Sequence, residues 1–127
     1  MQIQFNYFDM EAASLVCPEE KKSFTEALNW LRRSIYNLEA VEGGRWTKKD
    51  IEAVVTAKTS HMPTEELRVL RIKNLEADKE KALNLSVKRF NKMNRIYAER
   101  TNGHYICGFY ENRDTLMKKA LLELAQI

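Results

Sequence analysis

One run of apolar residues constrains the fold of this chain more than any other feature. Its members step by 4, 3, 4 and 3 positions, the spacing of one α-helical face: Phe24, Leu28, Leu31, Ile35 and Leu38. Pro18 suits the first helical position, where its missing N–H costs nothing, and Gly43-Gly44 is a helix stop. We predict a helix of about five turns whose apolar face lies mostly in the core. The same heptad-like spacing, with Trp30 beside it, also suits contact with a second copy, so a homodimer stays open.

A capping pair predicts a short second helix. Thr47 followed by Asp50 is the S/T-x-x-acid pattern that satisfies the first N–H groups of a helix. Ile51, Val54 and Val55 then fall on one helical face. The pattern therefore predicts a short helix that contains all three residues.

Further caps predict the remaining helices. After a break at 59–63, Thr64 is the next predicted N-cap. Asp78 is another candidate, so the pattern leaves open whether residues 64–100 form one helix or two. Asn112 or Asp114 is predicted to cap a last helix.

Two segments have strand character. Residues 2–8 alternate between apolar and polar side chains. Residues 104–110 are rich in β-formers and follow Asn102-Gly103, the strongest turn signal in the chain. Residues 11–16 fit either a helical turn or a loop. The predicted fold is mainly α, with about five helices and one or two short strands in a single domain spanning residues 1–127.

Composition bounds the class of protein. A chain of 127 residues with 44% hydrophobic residues fits one domain with one modest core. The N-terminus lacks the basic and apolar segments of a signal peptide, and the apolar runs are too short to cross a bilayer. We therefore expect a cytoplasmic protein with no membrane contact, in which Cys17 and Cys107 are reduced thiols.

Basic residues are concentrated in one third of the chain. Residues 68–100 carry 10 Lys/Arg against 4 Asp/Glu, whereas residues 1–67 carry 8 against 11. Within the basic part, five residues with no acid among them share one helical face: Asn84, Lys88, Asn91, Lys92 and Arg95. A solvated helix surface has the same composition, but Asn is a poor helix former. Asn, Lys and Arg are also the side chains that bind phosphates and base edges.

Residues 44–97 resemble the Myb/SANT-like tri-helical family. Residues 44–50 (GRWTKKD) are similar to the W-T-x-E/D-D opening of such repeats. Residues 62–67 resemble the start of the second helix, and 80–90 resemble the third. The resemblance implies a helix-turn-helix-like module whose third helix enters the major groove of DNA. In that arrangement the DNA bases are contacted by Asn84, Lys88, Asn91 and Arg95. Modules of this family also bind proteins.

Catalytic and metal-binding patterns are weak. His104 and Cys107 are three residues apart, and in a strand such residues point to opposite faces. The sequence has no C-x-x-C or H-x-x-x-H pair of the kind that zinc sites use, and no nucleophile motif or Walker loop. We therefore predict no catalytic residues, no metal and no cofactor.

These observations support two functional hypotheses. The first is a small non-enzymatic regulator that binds DNA or another nucleic acid through the Asn/Lys/Arg face. The second is a protein–protein interaction module, either an adaptor or a small inhibitor of the kind that mobile elements encode. The lack of a catalytic motif, the split charge and the apolar stripe beside Trp30 motivate the second.

Overall fold

The computed structural model describes residues 10–55, 62–104, 106 and 113–126. The elements within these ranges are α1 (Met10–Val16), α2 (Pro18–Glu42), α3 (Lys48–Glu52), α4 (Thr64–Arg100) and α5 (Arg113–Ala125). The segment 11–16 is therefore helical. The described residues contain no strand: the predicted strand at 2–8 lies outside them, and of 104–110 only His104 and Ile106 are described, both in irregular structure. Across this described part, no helix has both the length and the apolar character needed to cross a membrane.

The helix α2 follows the predicted apolar stripe. All five stripe residues are buried, and Trp30 packs half-buried against the same core, which confirms the core prediction. The helix ends in a Schellman motif, in which the Arg45 N–H donates to the Ala40 carbonyl at 2.9 Å and the Gly44 N–H donates to the Val41 carbonyl at 3.1 Å. Gly44 has a φ of 73°, a conformation that glycine adopts without a Cβ clash.

The helix α3 begins at the predicted capping box. The Asp50 N–H donates to the Thr47 hydroxyl at 3.3 Å, and the Thr47 N–H donates to Asp50 Oδ2 at 2.8 Å. Ile51 is buried, but Val54 is 46% exposed and Val55 is half-buried. The predicted short helix is confirmed, but it ends at Glu52 and the chain then turns, so the prediction that Val54 and Val55 share a helical face with Ile51 is wrong.

The helix α4 is continuous over 37 residues, which answers the question left open for residues 64–100. Asp78 lies inside it and caps nothing. Thr64 is the first helical residue, so its prediction as N-cap is wrong: Pro63 holds that position and makes no side-chain cap hydrogen bond. Most residues of the charged run 76–81 are good helix formers, and Leu75 and Ala82 on either side are buried. Propensity and packing therefore carry the helix through the run.

The helices α2 and α4 are antiparallel neighbours. Near the start of α2, the Cys17 thiol donates to the Met93 carbonyl at 3.9 Å, late in α4. Near the end of α2, Leu38 and Val41 pack with Leu67, which lies early in α4. Pairing of opposite ends sets the direction of the two helices and the side of α4 that faces solvent.

The helix α5 completes the domain. Arg32 Nη2 on α2 donates to the Leu124 carbonyl on α5 at 3.4 Å. Leu121 of α5 belongs to the same buried cluster as Phe24 and Phe90, whose rings meet edge to face with centroids 5.4 Å apart. The helices α2, α4 and α5 thus surround one core, while α3 packs on a smaller cluster at the end of α2.

Candidate nucleic-acid interface

A groove of about 800 Å³ lies along one side of α4. Four of the five predicted site residues line it, namely Lys88, Asn91, Lys92 and Arg95. The fifth, Asn84, is exposed on the same helical face, and its Nδ2 donates to Glu80 Oε1 at 3.4 Å. The structure therefore brings four predicted residues together and leaves Asn84 outside the groove.

The cations of this face are exposed because they lie opposite the buried side of α4. Phe90 is fully buried, whereas Lys88, Lys92 and Arg95 are exposed. From residue 81 to residue 98, α4 contains no Asp or Glu. At about 1.5 Å per residue, the three exposed cations span roughly 10 Å of helix. Glu99, exposed four residues after Arg95 on the same helix, offsets part of this charge, so this part of α4 presents a net positive charge.

The groove also contains residues that the sequence pattern did not indicate. Arg89 lines it together with Leu85, Ser23 of α2 and Asp114 of α5. The Arg89 side chain is half-buried, and its Nη1 donates to the Ser23 carbonyl at 2.8 Å. Arg89 lies about 100° around the helix from Lys88, outside the predicted face. Only the packing of α2 against α4 brings it into the site, so no local signal could have found it.

Asn94 has a structural role. It is 1% exposed, and its Oδ1 accepts the backbone N–H of Ile106 at 2.7 Å. A buried acceptor that satisfies a buried N–H outside the helix explains why a poor helix former stands at this position. The asparagines of α4 therefore differ in role, since Asn91 lines the groove and Asn94 does not.

Within the described residues, Cys17 is a free thiol, and it is buried. Burial raises the pKa of the Cys17 thiol, and the negative charge of Glu20 raises it further, while the positive charge of Arg100 opposes this shift. Cys17 is thus held as a protonated thiol, which is a poor nucleophile. Among the residues the structure describes, no group of three His, Cys, Asp or Glu side chains is placed to hold a metal ion. His61 and Cys107 lie outside those residues.

The continuity of α4 bears on the resemblance to tri-helical modules. The segments 62–67 and 80–90 resemble separate second and third helices. In the structure, α4 begins within the first segment and contains all of the second. The described part of the chain therefore presents a groove along the side of a long helix, with no turn between the two segments. A scan of protein-family models finds no match for this chain, and neither a search of curated proteins nor a search of solved structures finds one.

Proposed function

We propose that this protein binds nucleic acid through the α4 groove and acts as a small non-enzymatic regulator. The observation that carries the proposal is the convergence of four cations on one groove: Lys88, Arg89, Lys92 and Arg95. Asp114 is the one carboxylate among the described lining residues. The groove therefore has an excess of positive charge, which suits an anionic ligand.

Phosphate groups are the ligands that this chemistry suits best. Lys and Arg side chains neutralise phosphates and release condensed counterions, and such contacts fix the position of a duplex. Asn91 adds an amide to the groove, a group that bonds adenine bidentately. None of the described lining residues is aromatic, whereas single-strand binders stack bases on aromatic rings. The proposal therefore commits to a duplex held mainly through its phosphates.

Fluorescence anisotropy with a mixed-sequence DNA duplex at several salt concentrations tests this function. We expect affinity to fall steeply with salt for the native protein. A triple variant, Lys88→Gln, Lys92→Gln and Arg95→Gln, should bind more weakly, and the slope of log K against log salt should shrink by about three if all three residues contact phosphates.

A matched control keeps net charge from explaining the result. Arg33→Gln, Lys49→Gln and Lys73→Gln together remove the same charge from exposed positions away from the groove. This control should retain most of the affinity and of the salt dependence. Equal losses in the two triple variants, or no binding by the native protein at low salt, would refute a specific role for the groove.

Docking on a partner protein is a second candidate function, and a different surface favours it. The stripe beside Trp30 lies in the core, but Tyr36 is 62% exposed. The Arg45 guanidinium lies 5.9 Å from the Tyr36 ring centroid, and both residues line a pocket of about 530 Å³ with Trp46. Tyr, Trp and Arg are the residue types that dominate interface energetics.

A double variant, Tyr36→Ala with Arg45→Ala, separates the two functions. It should keep duplex binding, because neither residue lines the α4 groove. If docking is the function, the variant should lose a partner that cross-links to the native protein in its own cells. Recovery of the same proteins by both forms would rule out this surface.

A further inference from the structure

A small cavity of about 150 Å³ lies at the border between α2 and the basic part of α4. The described residues around it are Glu19, Glu20, Ser23, Arg89 and Lys92. Ser23, Arg89 and Lys92 also line the larger groove. These three residues therefore stand where the two depressions meet, and each carries a hydrogen-bond donor.

Arg89 is held in place before any ligand arrives. Its Nη1 donates to the Ser23 carbonyl at 2.8 Å across the α2–α4 contact. A guanidinium has five N–H donors in a rigid plane, so this one bond orients the others. An oriented donor loses less conformational entropy on binding than a mobile side chain does. The Ser23 hydroxyl is a rotatable donor beside it, and the exposed Lys92 adds a mobile ammonium.

The charges around the cavity select against a ligand with two negative charges. Two carboxylates, Glu19 and Glu20, share its wall with two cations, Arg89 and Lys92. Glu20 is also 3.8 Å from the Arg100 guanidinium, which offsets part of its charge. A phosphomonoester approaches two negative charges at neutral pH, whereas a phosphodiester carries one. The dianion therefore meets more repulsion here than the monoanion does.

We propose that Ser23, Arg89 and Lys92 form a seat for one phosphodiester group, which anchors a nucleic-acid strand in the α4 groove. This inference rests on the proposed function and assigns the anchoring contact to Arg89. The flanking cations Lys88 and Arg95 then act on neighbouring phosphates. Because phospholipids also contain phosphodiesters, the test includes a lipid arm.

Nuclear magnetic resonance tests the seat directly. Dimethyl phosphate, a diester monoanion, should shift the Arg89 Nε–Hε and Ser23 amide signals, and inorganic phosphate at equal ionic strength should shift them less. Arg89→Gln should remove the Ser23 response, while Lys81→Gln, an exposed cation of α4 outside both depressions, should keep both responses.

Duplex binding by the same variants supplies the second readout. Arg89→Gln should lower affinity by about tenfold, the scale of one charge-assisted hydrogen bond, and reduce the salt slope by about one. Arg89→Lys keeps the charge without the planar fork, so it should restore the slope but not the full affinity. Ser23→Ala keeps the carbonyl that holds Arg89 and should cause a smaller loss. Thermal unfolding curves identify any variant that has lost its fold. If Arg89→Gln does not fold, the duplex affinities of Arg89→Lys and Ser23→Ala test the seat in its place.

The outcomes separate the seat from the proposed function. If the triple variant loses duplex binding but Arg89→Lys, Arg89→Gln and Ser23→Ala bind as the native protein does, the seat is refuted and the function stands. If no duplex binds but dimethyl phosphate still shifts Arg89, the function fails and the seat stands as a phosphodiester site. Vesicles of phosphatidylglycerol that bind more tightly than the duplex would refute the nucleic-acid assignment. A larger response to inorganic phosphate than to dimethyl phosphate would refute the diester assignment.

Discussion

Replacing Asn94 with alanine tests whether an asparagine inside α4 is there for structure. The residue is 1% exposed, and its Oδ1 accepts the Ile106 N–H at 2.7 Å. Removing this acceptor leaves a buried N–H unpaired, at a cost of about 1–3 kcal/mol. Alanine recovers about 0.6 kcal/mol of helix propensity. We therefore expect the free energy of unfolding to fall by about 0.5–2.5 kcal/mol.

The same substitution at Asn84 is the matched control, because it changes an exposed position of the same helix. The Asn84 amide has a long, exposed contact with Glu80 at 3.4 Å, so alanine should raise stability by a few tenths of a kcal/mol through propensity, roughly. Urea unfolding followed by circular dichroism measures both free energies, and equal m-values show that the unfolded states are comparable. If Asn94→Ala raises the free energy of unfolding as Asn84→Ala does, or leaves it unchanged, the structural explanation of Asn94 is refuted.

Three further predictions concern stability and the buried thiol. Hydrogen bonds from the Thr47 backbone N–H and hydroxyl lower the pKa of Asp50; its stabilising effect is complete above the unfolded-state pKa and is lost as pH falls through the folded-state value. Urea unfolding between roughly pH 6 and pH 2 should show less acid destabilisation for Asp50→Asn, and parallel curves would contradict this. Phe90→Ala should cost about 3–5 kcal/mol in the same assay, because the ring is fully buried, and a loss below about 1 kcal/mol would exclude this packing. In a Cys107→Ser background, Cys17 should react with a disulfide reagent only as fast as the protein opens, since it is fully buried; immediate reaction would contradict that burial.

Parts of the fold that depend on residues close in sequence were predictable. The α2 stripe needs only the helical period, and its five apolar residues are all buried. The α3 start needs only Thr47 and Asp50, whose reciprocal hydrogen bonds span three positions. Gly44 was predictable as part of a helix stop because its positive φ is a local demand. In each case one short segment contains both partners of the interaction.

Parts that depend on packing between distant segments were not predictable. Asp78 has the residue type of an N-cap, but Leu75 and Ala82 are buried on either side of it. Their packing favours a continuous helix over a break that the local pattern allowed equally. Asn94 likewise has the residue type of a polar helix surface, while its Oδ1 accepts the backbone N–H of Ile106 outside that helix. Sequence spacing within α4 contains no information about either contact.

The residues of the candidate site also differ in whether a local sequence pattern or distant packing places them there. Lys88, Lys92 and Arg95 were predictable because residues on one helical face need only the helical period. An exposed lysine does not by itself distinguish a binding surface from a solvated one, since both favour the same side chain. Arg89 differs, because a carbonyl of another helix holds its guanidinium at 2.8 Å, and fixing a long side chain costs conformational entropy that solvation does not require. Arg89 is therefore the residue whose substitution best separates the proposed phosphodiester seat from an ordinary charged helix face.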